Sequence, residues 1–259
     1  MTLTRIEPVV MPALALRGLT IFPGTSIHFD VGREISIRAL DQAMAEGSPV
    51  FMVAQRDMTL ELPDEEDLYR MGTISRVRQI LRMPGGGARV MVEGESRGWL
   101  RGLVGKEPYL EVLAERIPDP PIRESNTPRT EAMIRQVYEL LETYISLSDE
   151  QGMDVFLHVL AQEDPGHIAD HVAQNIVMRP GSKQMILEEL DPIRRLEKLL
   201  RILRQELLVL EFEREIHDKT QEMLDRSRRT QMLREQLRVI QNELGEGEDG
   251  AAHLLGEYL

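Results

Sequence analysis

The chain has 259 residues, of which 42% are hydrophobic and 29% are charged, and it contains no cysteine. This composition excludes an intrinsically disordered protein, disulfide bonds and thiol catalysis, and the length is sufficient for two domains. The net charge is −13, and residues 118–192 alone carry −9, which disfavours contact with nucleic-acid phosphates. No apolar run approaches the roughly 18 residues of a membrane span, and the first residues lack a signal-peptide pattern. We therefore expect a cytoplasmic protein that contacts neither membranes nor nucleic acid.

Residues 1–117 are predicted to form a β-rich domain. The segment Ser26–Val31 alternates polar and apolar side chains, and Val50–Ala54 is an apolar run typical of a buried strand. Residues Arg33–Glu46 change to a helical period, and Gly47 follows as a stop signal. Further strands are predicted at Val9–Leu16, Gly72–Leu81, Ala88–Glu93, Gly98–Val104 and Tyr109–Arg116, with Pro84–Gly87 as a hairpin turn. Several short strands with one helix indicate a small barrel-like α+β domain.

Residues 122–192 are predicted to form a small all-α helical bundle. Three prolines within Pro118–Pro121 mark its boundary, because proline continues neither a strand nor a helix. Four helices are expected, with start signals at Thr127, the capping box Ser148–Gln151, Asp164 and Ser182. Asp191 before Pro192 then opens a longer helix.

Residues 193–245 are predicted to form one long coiled-coil helix, because leucines recur there and no proline or glycine occurs before Gly245. The repeat lapses between about Glu213 and Gln231 and resumes in a new phase. The predicted seam comprises Leu196, Leu200, Leu203, Leu207, Leu210, Leu233, Leu237, Ile240 and Leu244. Such a helix favours an oligomerisation arm or a spacer, and residues 246–259 are expected to be a flexible tail.

The glycine–lysine pairs of the chain do not match a phosphate-binding loop. Leu100 stands where the loop around Gly105 requires its first glycine, and Glu107 replaces the required serine or threonine. The pair in Gly181–Gln184 departs from the motif similarly. No Gly-x-Ser-x-Gly motif occurs, and no lysine lies in an apolar context that would activate it. The sequence therefore predicts no catalytic centre and no cofactor site in this chain.

Two histidines, His167 and His171, lie four residues apart, a spacing that zinc sites use on helices. A hydrolytic site would normally pair them with a glutamate and a third ligand. The acid between them is Asp170, however, and the remaining histidines are scattered. We interpret the pair as surface histidines and predict no metal site.

Apolar residues near two turns form the candidate substrate-binding patch, which comprises Leu19, Ile21, Phe22, Pro23, Met83 and Pro84. The first four precede a glycine turn, and the last two precede the triple-glycine hairpin. Flexible, polarizable methionine suits surfaces that accept many apolar partners. Two interpretations stay open: these residues close the ends of the barrel, or they form a weak, promiscuous site for unfolded polypeptide.

Four stretches, in this order, resemble the N-terminal region of the bacterial ATP-dependent Lon protease family. They are Met11–Gly24 with its Leu-Arg and Phe-Pro pairs, Gly72–Ser75 together with Val92–Gly94, Asp164–Asp170, and Arg234–Gly245. Each stretch alone is a weak signal, but together they are specific and span nearly the whole chain.

The resemblance implies a PUA-like β-barrel domain, a helical bundle and a coiled-coil arm, which in the family precede an ATPase module and a Ser–Lys protease domain. Those modules are missing here, so the sequence is expected to be a truncated form whose parent chain uses ATP and Mg²⁺. The implied partners are unfolded or damaged proteins and other copies of the chain in a hexamer. We interpret the chain as a non-catalytic region for substrate recognition and hexamer assembly. The alternatives are a stand-alone PUA-like oligomeric scaffold and an RNA-binding protein.

Overall fold

The computed structural model describes residues 7–118, 127–147 and 164–256, with side chains up to residue 240. The predicted capping box that begins at Ser148 lies outside the described residues. The chain divides into two compact units, Met1–Leu207 and Leu208–Leu259. The sheet and the helices that follow it therefore share one unit. No helix in the described ranges is both long and apolar enough to cross a membrane.

Six strands and one helix form the first part of the chain, close to the predicted positions. The strands are β1 Val9–Leu16, β2 Ser26–Val31, β3 Val50–Ala54, β4 Met71–Arg82, β5 Ala88–Gly105 and β6 Glu111–Arg116. Helix α1 spans Glu34–Glu46, and Gly47 ends it with a φ of 62°. The two strands predicted at Ala88–Glu93 and Gly98–Val104 are one strand, because the residues between them, such as Gly94, keep pairing with β4.

The strands close into a small barrel because β5 is long enough to serve two neighbours. The order across the sheet is β2-β5-β4-β3-β1-β6, and β6 also pairs with β5. The first part of β5 pairs with β2 from Ala88 to Glu93, and its second part pairs with β6 from Gly98 to Gly105. The predicted mixed α+β barrel is thus confirmed. Among the described residues, β2 pairs on one side only and is an edge strand.

Alternate residues of β1 belong to two different cores. Met11, Ala13 and Ala15 join one apolar cluster with residues of β3 and β6. Leu14 and Leu16 join the other cluster, which includes residues of α1. Because both faces of this strand are buried, its sequence is a continuous apolar run instead of an alternating one.

At three glycines of the barrel, neighbouring groups occupy the space that a side chain would need. A methyl group on Gly72 would lie 2.7 Å from the Phe51 ring, and one on Gly98 would lie 2.8 Å from the same ring. A methyl group on Gly94 would lie only 2.3 Å from the Phe22 carbonyl oxygen. The close packing of the barrel wall at these points therefore depends on glycine.

The helical part contains α2 Pro128–Leu147, α3 Pro165–Asn175 and α4 Pro180–Leu187 among the described residues. The predicted start at Asp164 is confirmed, since its side chain accepts a hydrogen bond from the His167 backbone N–H at 2.9 Å. The predicted start at Ser182 is wrong. Helix α4 begins two residues earlier at Pro180, because proline suits the first helical position.

The last helix, α5, spans Pro192–Gly256. Asp191 caps it as predicted, accepting hydrogen bonds from the backbone N–H groups of Ile193 and Arg194, both at 3.0 Å. The flexible tail predicted for residues 246–259 is wrong as far as Gly256, because the backbone stays helical there. An isolated glycine such as Gly245 weakens a helix by about 1 kcal/mol and does not by itself end it.

The predicted coiled-coil seam has two different environments. Its first four leucines, which lie in the first compact unit, are 0–5% exposed: Leu196, Leu200, Leu203 and Leu207. Leu199 and Ile202 are buried to the same extent, and Leu210 is half-buried. Such a wide buried stripe is typical of a helix packed on a globular core. In the described structure these leucines are therefore buried within the first compact unit of their own chain.

The second part of the seam is exposed. Leu233, Leu237 and Ile240 are 53%, 58% and 51% exposed. The side chain of Leu244 lies outside the described residues. The role of this part as a coiled-coil seam stays a prediction.

Candidate functional site

The apolar turn Leu19–Pro23 is a buried junction and not an exposed patch. Ile21 is 2% exposed, and Phe22 is fully buried. Pro23 is buried as well, whereas Leu19 is half-buried. The prediction that Ile21, Phe22 and Pro23 offer an accessible surface is therefore wrong, because helix α3 binds over this turn.

A glutamine of α3 makes that contact. The Gln174 Oε1 atom accepts hydrogen bonds from the Phe22 backbone N–H at 3.0 Å and from the Thr25 hydroxyl at 3.2 Å. Its Nε2 atom donates to the Thr20 carbonyl oxygen at 3.3 Å. One side chain therefore satisfies backbone groups of the turn that burial would otherwise leave unpaired.

A buried ion triad, consisting of Arg97, Asp170 and Arg195, joins the barrel to the helices. The three side chains are 0%, 1% and 2% exposed. Arg97 of β5 donates to both carboxylate oxygens of Asp170 on α3, at 2.7 and 3.0 Å, and Arg195 donates to one of them at 2.9 Å. Arg97 also donates to the Leu187 carbonyl oxygen, and Arg195 to that of Glu189. Removing Asp170 would leave two buried guanidinium charges without a counter-charge, so this carboxylate holds the strand and the helices together.

The triad also explains the motif His167–His171. Asp170 is engaged by the two arginines, and His167 is exposed. No group of three or more His, Asp or Glu in the described part of the chain could hold a metal ion. The role of Asp170 in the triad was not predicted from the sequence. Its signal is a lone carboxylate between the buried residues Ile168 and Val172.

An open groove of about 500 Å³ lies between the end of β1 and the edge strand β2. The groove is lined by Leu14–Arg17, Leu19, Phe29–Arg33, Ser36 and Glu61. Leu19 and Phe29 are half-buried, so apolar surface reaches solvent here. Of the predicted patch, Leu19 alone lines this groove.

Two exposed apolar side chains lie outside the groove lining but next to it: Met58 beside Gly18, which lining residues flank on both sides, and Leu62 directly after Glu61. Met58 is 52% exposed and Leu62 is 59% exposed. A methyl group on Gly18, which has a φ of 68°, would lie 3.2 Å from the Met58 sulfur. Arg17 donates to the Leu60 carbonyl oxygen at 2.7 Å and fixes this loop beside β1. The groove therefore combines an apolar wall with an adaptable methionine at its edge.

The charges of the groove are unevenly distributed. Arg17, Arg33 and Glu61 lie at one end, and burial together with the charge of Arg17 lowers the pKa of Arg33. Asp30 is already engaged by Arg89 at 2.7 and 2.9 Å, and this hydrogen-bonded pair lowers the pKa of Asp30. Apart from the Asp30–Arg89 pair, the lining thus carries two guanidinium groups and one carboxylate, which makes this end basic.

The hairpin residue Met83 lies beside the other part of β2. A methyl group on Gly87 would lie 3.0 Å from the Val31 carbonyl oxygen and 3.4 Å from the Met83 terminal methyl. Val31 lines the groove, so Met83 is close to the end of its apolar wall. Met83 is half-buried and Pro84 is exposed. The structure therefore brings Met83 near the groove, whereas it separates Ile21 and Phe22 from solvent.

Neither glycine–lysine pair fits a phosphate group. Gly102 and Gly105 lie inside strand β5, where no loop precedes a helix, and Lys106 pairs with Asp64. Lys183 lies inside α4 and donates to the Gln174 carbonyl oxygen at 2.9 Å. Burial lowers the pKa of Lys183 to about 8, so the prediction that no lysine has an environment that depresses its pKa is wrong. Both lysines therefore bind groups of the protein itself, Lys106 a carboxylate and Lys183 a backbone carbonyl oxygen.

Comparison with known families identifies the first compact unit. The family model described as "ATP-dependent protease La (LON) substrate-binding domain" matches residues 10–205. The match covers the barrel, the described helices α2 to α4 and the first turns of α5.

Full-length relatives agree with this match. A Lon protease of Syntrophomonas wolfei subsp. wolfei is 37% identical over 244 residues, which are 94% of this chain and 30% of the relative. A Lon protease of Clostridioides difficile is 38% identical over 241 residues, which are 92% of this chain and 31% of the relative. The chain thus spans about 30% of the length of the curated relatives that it matches.

Solved structures share the fold. The N-terminal domain of Mycobacterium avium complex Lon protease has a TM-score of 0.61 at 21% identity and covers 76% of this chain and 98% of its own. A Lon N-terminal domain protein from Xanthomonas campestris has a TM-score of 0.54 at 17% identity and covers 74% and 98%. The resemblance read from the four sequence stretches is confirmed, and the chain belongs to the Lon protease substrate-binding domain family.

Proposed function

We propose that this chain binds apolar segments of unfolded or damaged polypeptides as the non-catalytic recognition region of an ATP-dependent protease. The observation that carries the proposal is the groove, whose apolar wall at Leu19 and Phe29 reaches solvent beside the exposed Met58 and Leu62. The family description names substrate binding, and the relatives are named proteases. ATP, Mg²⁺ and peptide hydrolysis belong, in this proposal, to other parts of a longer protein.

The proposed binding is weak and unselective. The groove is open, so it encloses no single side chain, and its rim carries a flexible methionine that can adapt to different apolar groups. Of the predicted patch, Leu19, Met83 and Pro84 remain in the proposed site. Weak single sites suffice if several copies act together, because linked sites raise the effective concentration of a bound chain.

Fluorescence anisotropy with a labelled, permanently unfolded casein-like polypeptide tests this proposal. We expect micromolar or weaker binding by the wild-type chain and about tenfold weaker binding after Met58→Ser combined with Leu62→Ser, since tenfold corresponds to about 1.4 kcal/mol. Both residues are exposed, so the variant should fold. The control is Met185→Ser, an equally exposed methionine on α4. Equal affinity of all three proteins would remove the groove as the binding site.

We propose a second role in assembly for the exposed part of α5. Leu233, Leu237 and Ile240 recur at spacings of four and three on a helix face that is exposed in the described structure. This spacing suits a two-stranded coiled coil, in which such residues pack into holes of a partner helix. The proposed partner is another copy of the chain, as part of a hexamer.

Sedimentation velocity over a range of protein concentrations tests the assembly role. We expect concentration-dependent association that Leu233→Glu combined with Leu237→Glu abolishes, because two buried carboxylates would oppose helix pairing. The matched control is Met223→Glu, a substitution at an exposed position where the heptad repeat lapses. Monomers at every concentration in all three proteins would contradict self-association of this chain through α5.

A further inference from the structure

The last residues of the edge strand β2, from Phe29 to Val31, form one border of the groove, and the strand continues beyond it to Ser26. It pairs with β5 on one side and, within the described residues, with no strand on the other. Leu14–Leu16 of β1 also line the groove, but β1 pairs with β3 and β6 and not with β2. The groove is therefore a gap in the sheet that is bordered by a free hydrogen-bonding edge.

The free backbone groups of this edge can be assigned. The Gly94 N–H donates to the Thr25 carbonyl oxygen, so Thr25 faces β5. Backbone groups of successive residues in a strand point to opposite sides, so Ile27, Phe29 and Val31 also face β5. Those of Ser26, His28 and Asp30 point away from it. No backbone hydrogen bond of these three residues to another part of the described structure is present outside the ladder.

The two faces of β2 differ in polarity. Ile27, Phe29 and Val31 are half-buried or buried on the core side, whereas Ser26, His28 and Asp30 are exposed. A strand added beside β2 would place every second side chain near Leu19 and Phe29 and the others in solvent. The edge therefore suits a segment with apolar residues at alternate positions.

We propose that substrate binds by strand addition: an extended segment of unfolded polypeptide pairs with the outer edge of β2, through Asp30 in the groove and through His28 and Ser26 on the same edge beyond it. This inference rests on the proposed function and specifies its binding mode. Main-chain hydrogen bonds supply affinity without regard to sequence, and the apolar wall selects alternate apolar side chains. The mode accounts for how one small site can accept many unrelated unfolded chains.

The basic end of the groove adds a charge preference. Arg17, Arg33 and Glu61 all line the groove, and the charges of Arg17 and Glu61 both act on Arg33, whereas Asp30 is engaged by Arg89. A segment with an acidic residue at that end would complement the surplus positive charge. We therefore expect an apolar segment with one flanking acidic residue to bind better than the same segment with a flanking lysine.

A second copy of the chain fits this edge less well. Strand β2 has six residues, and specific dimers bury roughly 1,200–2,000 Å² in total. Pairing two such short edges would bury far less than that. An unfolded polypeptide needs no large interface, because its affinity is expected to be weak.

Ester-substituted peptides test the binding mode on the wild-type chain. The probe is a hexapeptide with alternating apolar and threonine residues and a terminal aspartate, in an all-amide form and two ester forms. The esters replace either the odd or the even amide linkages and so remove alternate N–H donors with little change of shape. We expect at least tenfold weaker binding for one ester form and less than a twofold change for the other. Equal effects of both forms, or no effect, would overturn strand addition.

Two variants at one position provide the protein side of the test. His28→Pro removes an outward N–H donor, and His28→Ala keeps it while removing the same exposed side chain. We expect at least tenfold weaker peptide binding for the proline variant and a change of less than twofold in binding for the alanine variant. Thermal unfolding shows whether each variant is folded. If the proline variant does not fold, the ester peptides decide.

The outcomes separate this inference from the proposed function. Absence of any polypeptide binding would remove both. Binding that depends on Met58 and Leu62 but tolerates both ester forms would remove strand addition alone. Self-association that His28→Pro abolishes, without ester sensitivity, would assign the edge to a second copy instead.

Discussion

Two apolar turns of the barrel have similar sequences and different environments. Leu19–Gly24 and Leu81–Gly87 each place bulky apolar residues before glycine. In the first turn Phe22 is fully buried, whereas in the second Leu81 is 52% exposed. The difference comes from α3, which binds the first turn through Gln174, 152 residues away from Phe22. Exposure of an apolar turn therefore depends on the element that packs on it and not on its own composition.

The first turn is held by apolar packing of Ile21 in the barrel core and by polar contacts from α3. Gln174 binds the backbone of the turn, and the ion triad holds α3 against β5. Lys183 in turn donates to the Gln174 carbonyl oxygen. These hydrogen bonds hold α3 over the first turn. Their loss should expose this turn to solvent, as the second turn is exposed.

The largest effect is expected for Asp170→Ala, which removes the carboxylate of the triad. Arg97 and Arg195 would then be buried without a counter-charge, at a cost of about 3–5 kcal/mol in the free energy of unfolding. Chemical denaturation measures this change. The control is Asp30→Ala, which breaks the exposed pair with Arg89 and should have a far smaller effect. Similar losses in the two variants would contradict the special role of the triad.

A smaller loss is expected for Gln174→Ala. The Phe22 N–H and the Thr20 carbonyl oxygen would lose their partner, at a cost of about 1–3 kcal/mol. Hydrogen exchange of the Phe22 amide should accelerate as the turn opens. The control is the neighbouring Asn175→Ala, whose exposed side chain donates within its own helix to His171. Unchanged exchange at Phe22 would show that apolar packing alone covers the turn.

Stability should depend on pH through Lys183. Its pKa is about 8 in the folded chain and near 10.5 when unfolded, so the unfolded state binds more protons between these values. The free energy of unfolding contributed by this lysine therefore rises as the pH increases from about 8 to about 10.5. Lys183→Met should flatten that rise relative to wild type in denaturation curves recorded across this range. Lys219→Met, at an exposed position, should leave the slope nearly unchanged.

The smallest effect on stability is expected in the second turn. Met83→Ser should change the free energy of unfolding by only about 0.5 kcal/mol, as is usual for accessible positions. It should weaken binding of the unfolded polypeptide roughly two- to fivefold, which corresponds to about 0.4–1 kcal/mol. Ile21→Ala in the first turn should instead cost about 2–5 kcal/mol because it leaves a cavity. If Met83→Ser unfolds the chain while Ile21→Ala does not, the comparison of the two turns is wrong.

Local sequence signals predicted the elements well. The alternation in Ser26–Val31, the proline starts at Pro128, Pro165 and Pro192, and the glycine end of α1 depend on neighbours a few residues apart. The hairpin was predicted for the same reason, since Gly85–Gly87 all have positive φ values. These features need no information from distant parts of the chain.

The sequence could not predict which apolar residues are covered. The burial of Phe22, the triad of Arg97 with Asp170, and the continuity of β5 through Gly94 all depend on groups far apart in sequence. The same holds for the leucines of α5, where one repeat has buried and exposed parts. Only tertiary packing distinguishes the buried leucines from the exposed ones. The spacing of apolar residues alone therefore predicted the same seam role for both.

The long separation between Phe22 and Gln174 has a consequence for synthesis of the protein. A ribosome adds about 5–20 residues per second, so the first turn waits for roughly 8–30 seconds before its cover has been made. During that interval the Phe22 backbone lacks its hydrogen-bond partner on α3. We therefore expect a newly made molecule to be, for a short time, a ligand for the mature copies around it.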